Sequence, residues 1–213
     1  MERSSVCMSR ANPRDDSAKA SFDRVARFYD PFYFIAERFT SRHRRELLRR
    51  ARGRILEIGV GTGSSFKDYP ARKQIVGVDT SQEMLRRAEQ KRNNYDGQIE
   101  LRKEDVQNLS FKDEAFDTVL SSWVFCSVTD PARGLSEVRR VLKKGGCLLM
   151  LEHVRSKNKM LGRLMDKLNP LVSRLGVGNM NRDTVQYLRQ AGFKIEQEIN
   201  ISYDMVKAIV ASK

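Results

Sequence analysis

The sequence predicts an α/β fold: a seven-stranded, mostly parallel sheet that ends in a C-terminal antiparallel hairpin, with helices on both faces. Three observations lead there. Ile55–Gly63 reads ILEIGVGTG, an apolar run that breaks into regularly spaced glycines. Strand and helix signals then alternate as far as Gly192, the pattern of parallel strands joined by crossover helices. Two further strand signals come after it with no helix between them, which implies a hairpin.

Each element has its own local cause. Residues 1–20 are polar and predict a flexible terminal segment. Residues 21–213 are expected to form one domain, a natural size for one core. Ser21–Ala51 predicts two helices broken near Asp30-Pro31, because the residue before a proline avoids helical backbone. A strand is expected over 54–59, a helix over 64–69 capped by Ser64-Ser65, a strand over 74–79 and a helix over 81–93. Strands over 99–104 and 117–122 come next. Asp130-Pro131 opens a helix with a cap and a proline at its first position, and Gly145-Gly146 is expected to close it. A strand over Cys147–His153, a helix over Asn181–Ala191 stopped by Gly192, and strands over 194–201 and 205–212 complete the count.

The glycine run is the feature that carries chemistry. A buried strand feeding Gly59, Gly61 and Gly63, then a helix start, then a second strand ending in Asp79 is half of a nucleotide-binding βαβ unit. Glycines let the backbone turn tightly and approach a ligand. An acid at the end of the second strand can accept hydrogen bonds from both ribose hydroxyls. Dinucleotide enzymes use G-x-G-x-x-G, whereas this chain has Glu57-x-Gly59-x-Gly61-x-Gly63.

Composition narrows the setting. No 18 consecutive residues are apolar, so no spanning helix is expected, and no apolar signal core opens the chain. Cys7, Cys126 and Cys147 are scattered without metal-ligand spacing, which points to a reducing, cytoplasmic setting without disulfides. The formal net charge is +13, which calls for an anionic partner: nucleic acid, a membrane surface or an acidic substrate.

With these residues in view, the chain resembles class I S-adenosylmethionine (SAM) methyltransferases of the type 11 group, near the UbiE quinone, phospholipid and thiol methyltransferases. The segments that carry the resemblance are Phe22–Asp30, ILEIGVGTG, Val78–Leu85, Phe116–Val119, Glu137–Lys143 and Leu151–Val154. The resemblance implies a Rossmann-like sheet and SAM as cofactor, with S-adenosylhomocysteine as product. It implies that Gly59, Gly61 and Gly63 frame the methionine moiety, that Glu57 orients the loop or the amino group, and that Asp79 takes the ribose diol. Thr80 and Ser81 cap the next helix, and Met84 either flanks the adenine or is a plain core residue. Asp105, with Val106 beside it, either meets the adenine amino group or forms a turn. Ser121, Ser122 and Trp123 end a strand at the sheet's ligand-binding edge, with Trp123 read as wall. Tyr29 either closes over the cofactor or packs its helix.

Methyl transfer from a sulfonium is an in-line displacement, so positioning supplies most of the catalysis. A base matters only for an acceptor that arrives protonated. Glu152 and His153 follow the fifth strand as candidates, His153 either catalytic or structural. His43 shares a helical row with Leu47 and Ala51 and reads as packed, and Cys126 reads as a small buried residue.

Two basic segments stand out. Arg38–Arg54 holds eight arginines against Glu46, on a helix that either binds a membrane surface or is simply solvated. Arg155–Leu175 opens an expected lid-like insertion over 155–180, with Met160, Leu161, Leu164, Met165, Leu168, Leu171, Val172 and Leu175 on one stripe among lysines and arginines. It reads either as an acceptor cover or as a helix packed on the sheet. Asn181 reads as a helix cap. The expected acceptor is a lipid-like small molecule, a phospholipid amine first, then a quinone ring or hydrophobic thiol, met peripherally at an anionic membrane. An RNA substrate is less favoured, because no aromatics interleave the basic residues. A non-catalytic SAM-binding protein is the third reading. No oligomeric state is specified.

Overall fold

The computed structural model describes residues 40–174, 178–179 and 181–213. The expected flexible segment, the first of the two early helices with Tyr29, and residues 175–177 and 180 of the expected lid lie outside these residues. The described strands form one sheet of seven in the order β3-β2-β1-β4-β5-β7-β6. They are β1 (Arg54–Ile58), β2 (Gln74–Asp79), β3 (Gln98–Lys103), β4 (Phe116–Ser122), β5 (Leu142–His153), β6 (Lys194–Ser202) and β7 (Val206–Ser212). The first five pair in parallel, and β7 pairs antiparallel with both β5 and β6. The expected sheet and terminal hairpin are both present.

Side chains alternate between the faces along each strand, so each central strand feeds two cores. Leu56 and Ile58 of β1, with Leu148 and Met150 of β5, face α3 (Pro131–Val141) and α5 (Thr184–Gln190). Ile55 of β1, with Leu149 and Leu151 of β5, faces Leu47, Leu48 and Ala51 at the end of α1 (helical over 40–48), and α2 (Gln82–Arg92). Phe116 closes the bottom of the first core. It is fully buried, meets Phe111 edge to face at 4.9 Å, and lies beneath the Arg54 guanidinium.

Local chemistry explains most boundaries. Ser81 Oγ accepts the Met84 N–H to cap α2, and Asp130 accepts the Arg133 N–H to cap α3 ahead of Pro131. Gly192 follows α5 with φ +81°.

Three expected elements change. The helix over 64–69 is one 3-10 turn, Phe66–Asp68, with no side-chain cap from Ser65. Tyr69 is already extended ahead of Pro70, as steric pressure from a following proline demands. Gly145-Gly146 does not end α3. Leu142 turns extended and pairs with Phe116, so β5 starts there, and the register shift between Phe116 and Thr118 absorbs the glycines. Asn181 is not the cap of α5. Asp183 accepts the Gln186 N–H in that role, and Asn181 donates to Asp166 instead.

Phe116→Ala is expected to cost about 3–5 kcal/mol of stability, because the site is enclosed on every side and cannot collapse around the cavity. Urea unfolding followed by far-UV circular dichroism measures it.

Candidate active site

The chain leaves β1 toward β2 and β3 on one side, then returns to place β4 on the other. A crevice opens at the carboxyl ends of strands at such a switch point. A cavity lies there, lined by the loops after β1, β2, β3 and β4.

The glycine loop forms its floor. Gly61 adopts φ +54°, and a Cβ built on it meets nothing nearer than the Gly59 carbonyl at 4.0 Å. The backbone is therefore bare toward open space at that residue. Gly59 and Gly63 are glycines for packing reasons. A Cβ on Gly59 stands 2.5 Å from Val124, and one on Gly63 stands 2.5 Å from the Phe66 ring. Gly59 and Gly61 line the cavity; Gly63 does not.

Asp79 ends β2 and ties the loop down. One carboxylate oxygen accepts the Gly61 N–H at 2.9 Å, and the other accepts the Ser81 N–H at 2.9 Å. Thr80 and Met84 continue that wall, with Met84 both buried and lining. Asp105 and Val106 line the cavity after β3. Asp105 also accepts the Gln107 N–H, so it forms a turn and lines the wall together.

Glu57 lines the cavity from beneath the loop, on the α1 side of the sheet. It accepts the Tyr69 hydroxyl at 2.9 Å, and burial pushes its carboxyl up to about 7. Arg44 of α1 joins this layer. Its guanidinium pairs with Asp68, Nε at 2.8 Å, and its Nη2 lies 3.4 Å from the Ser64 carbonyl. Arg44 is 1% exposed and lines the cavity. The sequence pattern alone groups it with the other arginines of its helix. One signal sets it apart: Arg44 shares the i±4 row of Thr40 and Leu48, which are also buried.

Of the candidates at the ends of β4 and β5, Ser122 and Trp123 line the cavity, and Ser121, Glu152 and His153 do not. Ser121 does not line the cavity; its hydroxyl donates to Glu152 at 2.6 Å. The same Glu152 oxygen accepts from the Val124 and Phe125 N–H groups at 3.2 and 3.4 Å. Burial pushes Glu152 up to about 7 as well. Glu152 therefore holds the loop after β4 from behind and has no face on the cavity. His153 also lies off the lining. Its ring stands 6.5 Å from that of Trp123, which does line it, with a left-handed φ of +61°. Burial pushes the Cys126 thiol up to about 11, which suits a small packed residue and no nucleophile.

Residues that follow α4 (Lys159–Arg174) are stitched to this wall. The Asn179 N–H donates to the Cys126 carbonyl at 2.7 Å, and Arg182 donates to the carbonyls of Phe125, at 2.5 Å, and Val128.

A methyltransferase-domain family model matches residues 56–150. A phosphatidylethanolamine N-methyltransferase of Cereibacter sphaeroides is 38% identical over 141 residues, covering 65% of this chain and 68% of that one. This chain is a type 11 SAM-dependent methyltransferase. A thiol S-methyltransferase of Rattus norvegicus is 33% identical over 146 residues, covering 65% of this methyltransferase and 59% of the relative. Among solved structures, a SAM-dependent methyltransferase of Thermotoga maritima is 25% identical with a TM-score of 0.70, covering 91% of this chain and 99% of that one. The methyltransferase therefore has the Rossmann-like fold of its family and uses SAM as its cofactor.

Two outcomes are expected from this geometry. Gly63→Ala should lower stability by about 1–3 kcal/mol through the left-handed backbone and the Phe66 contact, visible as a lower urea midpoint. Between an ordinary 4.5 and about 7, the folded chain keeps protons on Glu57 and Glu152 that the unfolded chain has released. Both groups thus favour folding most at low pH, and their contribution declines as pH rises across that window, by up to ~3 kcal/mol per group. Unfolding of wild type and Glu57→Gln at pH 5 and pH 8 measures it; the variant should show the weaker pH dependence.

Proposed function

We propose that this methyltransferase transfers the methyl group of SAM to a lipid-like small molecule, with a phospholipid amine as the first acceptor. The observation that carries this reading is the helix α4 (Lys159–Arg174), which exposes Met160, Leu164, Leu168 and Leu171. The segment beyond it hydrogen-bonds directly to the cavity wall. An exposed apolar helix whose following residues bond to the cavity wall suits an amphiphilic acceptor. Similarity to a phosphatidylethanolamine N-methyltransferase supports the amine, and similarity to a thiol S-methyltransferase keeps a hydrophobic thiol as the second acceptor, with a quinone ring beside it.

The wall residues fit the cofactor by their chemistry. The bare backbone at Gly61 accommodates a close ligand, and Arg44 beside the loop is the cation suited to the methionine carboxylate. Asp79 offers acceptor oxygens to the ribose diol, and Asp105 offers them to an adenine amino group between Met84 and Val106. SAM, when bound, supplies a methyl group already activated on a cationic sulfur. The chain's own task is then to hold the acceptor in line and exclude water. An amine acceptor must shed its proton before attack. His153 acts on this reading as a positioning residue through Trp123. Tyr29 is retained on the resemblance alone, closing the cofactor side.

Incubation with methyl-labelled SAM and, in parallel, a phospholipid extract, quinones, small thiols and total RNA tests the reading. Label is expected in the phospholipid fraction. Label in RNA alone, or SAM binding without turnover on any acceptor, overturns it. Asp79→Ala should weaken SAM binding at least ~10-fold, about 1.4 kcal/mol, by isothermal titration. His153→Ala should raise the acceptor KM while leaving the SAM dissociation constant unchanged.

A further inference from the structure

The two basic segments differ in what lies between their charges. On α1 the apolar residues Leu47 and Leu48 are buried in the core, and the outer face carries Arg42, Arg45, Arg49 and Arg50 without an exposed large apolar side chain over 40–54. Such a face attracts anions and inserts nothing. Helix α4 is built the other way. Met165 is 2% exposed and accepts the Ser156 N–H, so it seats the helix on the body. Met160, Leu164, Leu168 and Leu171 are 83%, 51%, 43% and 61% exposed. At 3.6 residues per turn these four fall within an arc of roughly 80°. Their row is an apolar ridge along a helix about 24 Å long.

The charges beside the ridge are of one sign. Lys159, Arg163 and Lys167 are exposed next to it, with exposed Lys157 just before the helix. The helix's one acid, Asp166, is turned away and engaged by Arg155 at 2.8 Å and by Asn181 at 3.2 Å. An exposed apolar stripe with a cationic shoulder matches the boundary between the headgroups and acyl chains of an anionic bilayer. Each lysine or arginine near such a surface adds attraction, and the apolar ridge adds burial.

We infer that the outer ridge of α4, Met160-Leu164-Leu168-Leu171 with Arg163 and Lys167 beside it, is a docking surface for an anionic lipid bilayer, along which the helix lies in the interface plane. The inference rests on the lipid-acceptor reading for its purpose, and on the ridge and its charges for its support. Docking places the segment stitched to the cavity wall next to the bilayer, through the Asp166–Asn181 and Arg182–Phe125 links.

The test is co-sedimentation of the full chain with phosphatidylcholine vesicles containing about 30% phosphatidylglycerol, and with pure phosphatidylcholine vesicles. The wild type is expected to bind the anionic vesicles at least tenfold more tightly, with weakening in high salt. Leu164→Glu combined with Leu168→Glu is expected to reduce that binding at least tenfold. Since both side chains are about half exposed and neither lines the cavity, the SAM dissociation constant should stay at the wild-type value and the fold should be retained by circular dichroism. Arg163→Glu with Lys167→Glu should remove the preference for anionic lipid. Equal binding by the Leu→Glu variant, or no vesicle binding by wild type, overturns the proposal. So does a concentration-dependent dimer in sedimentation velocity that the Leu→Glu variant abolishes, since the ridge then joins two copies. Methyl transfer to detergent-dispersed phospholipid, measured separately, distinguishes failure of the docking surface from failure of the acceptor reading.

Discussion

The Asp79 carboxylate bonds the Gly61 N–H on one side and the Ser81 N–H on the other, and the cavity depends on that pair of bonds. The first sets the loop leaving β1, and the second sets the start of α2, whose cap is Ser81. One side chain thus fixes the separation of two crossovers. A carboxylate that accepts backbone donors is held in one rotamer, so its outward lone pairs are already oriented before a ligand arrives. The left-handed backbone at Gly59, Gly61 and Gly63 is tolerated because no Cβ is present there, and because this anchor holds the turn closed.

Two buried carboxylates repeat this logic on opposite faces of the sheet. Glu57 stands over α1 with Tyr69 as its donor, in the layer that contains Arg44 and Asp68. Glu152 stands over the other core and gathers Ser121, Val124 and Phe125 onto one oxygen. Burial raises both, yet neither stands free as a base. The hydrogen bonds they do make are to backbone and hydroxyl partners that shape loops. Glu152 is off the cavity and supports its loop, since a perturbed group near a cleft need not touch substrate, whereas Glu57 supports its loop and also lines the cavity.

Helix α4 belongs to the cavity's architecture through residues 178–182. Arg182 reaches the carbonyls of Phe125 and Val128, and Gly178 packs so closely on Ser127 that a Cβ would stand 2.9 Å from its hydroxyl. The wall over 123–129 is therefore held from two sides, by Glu152 and by Asn179 and Arg182.

Much of the molecule was legible in the sequence because local pattern determines it. The strand-glycine-strand-acid run, the capping residues Ser81 and Asp130, the stop at Gly192 and the terminal hairpin are all set by spacing within a few residues. They named Glu57, Gly59, Gly61, Asp79, Thr80, Met84, Asp105 and Val106, all of which line the cavity. The features that local pattern could not give depend on residues far apart in the chain. Ser121 faces Glu152 because β4 and β5 pair in a particular register. Arg44 shares a helical row with Leu48, but the partner that lets its charge be buried, Asp68, lies 24 residues away. The sequence by itself determined the fold class and the cofactor's cradle, since backbone conformation and strand alternation are local properties. Tertiary structure alone decided which charged side chains are buried and which basic helix keeps an apolar ridge, because burial is set by the groups that pack against a residue.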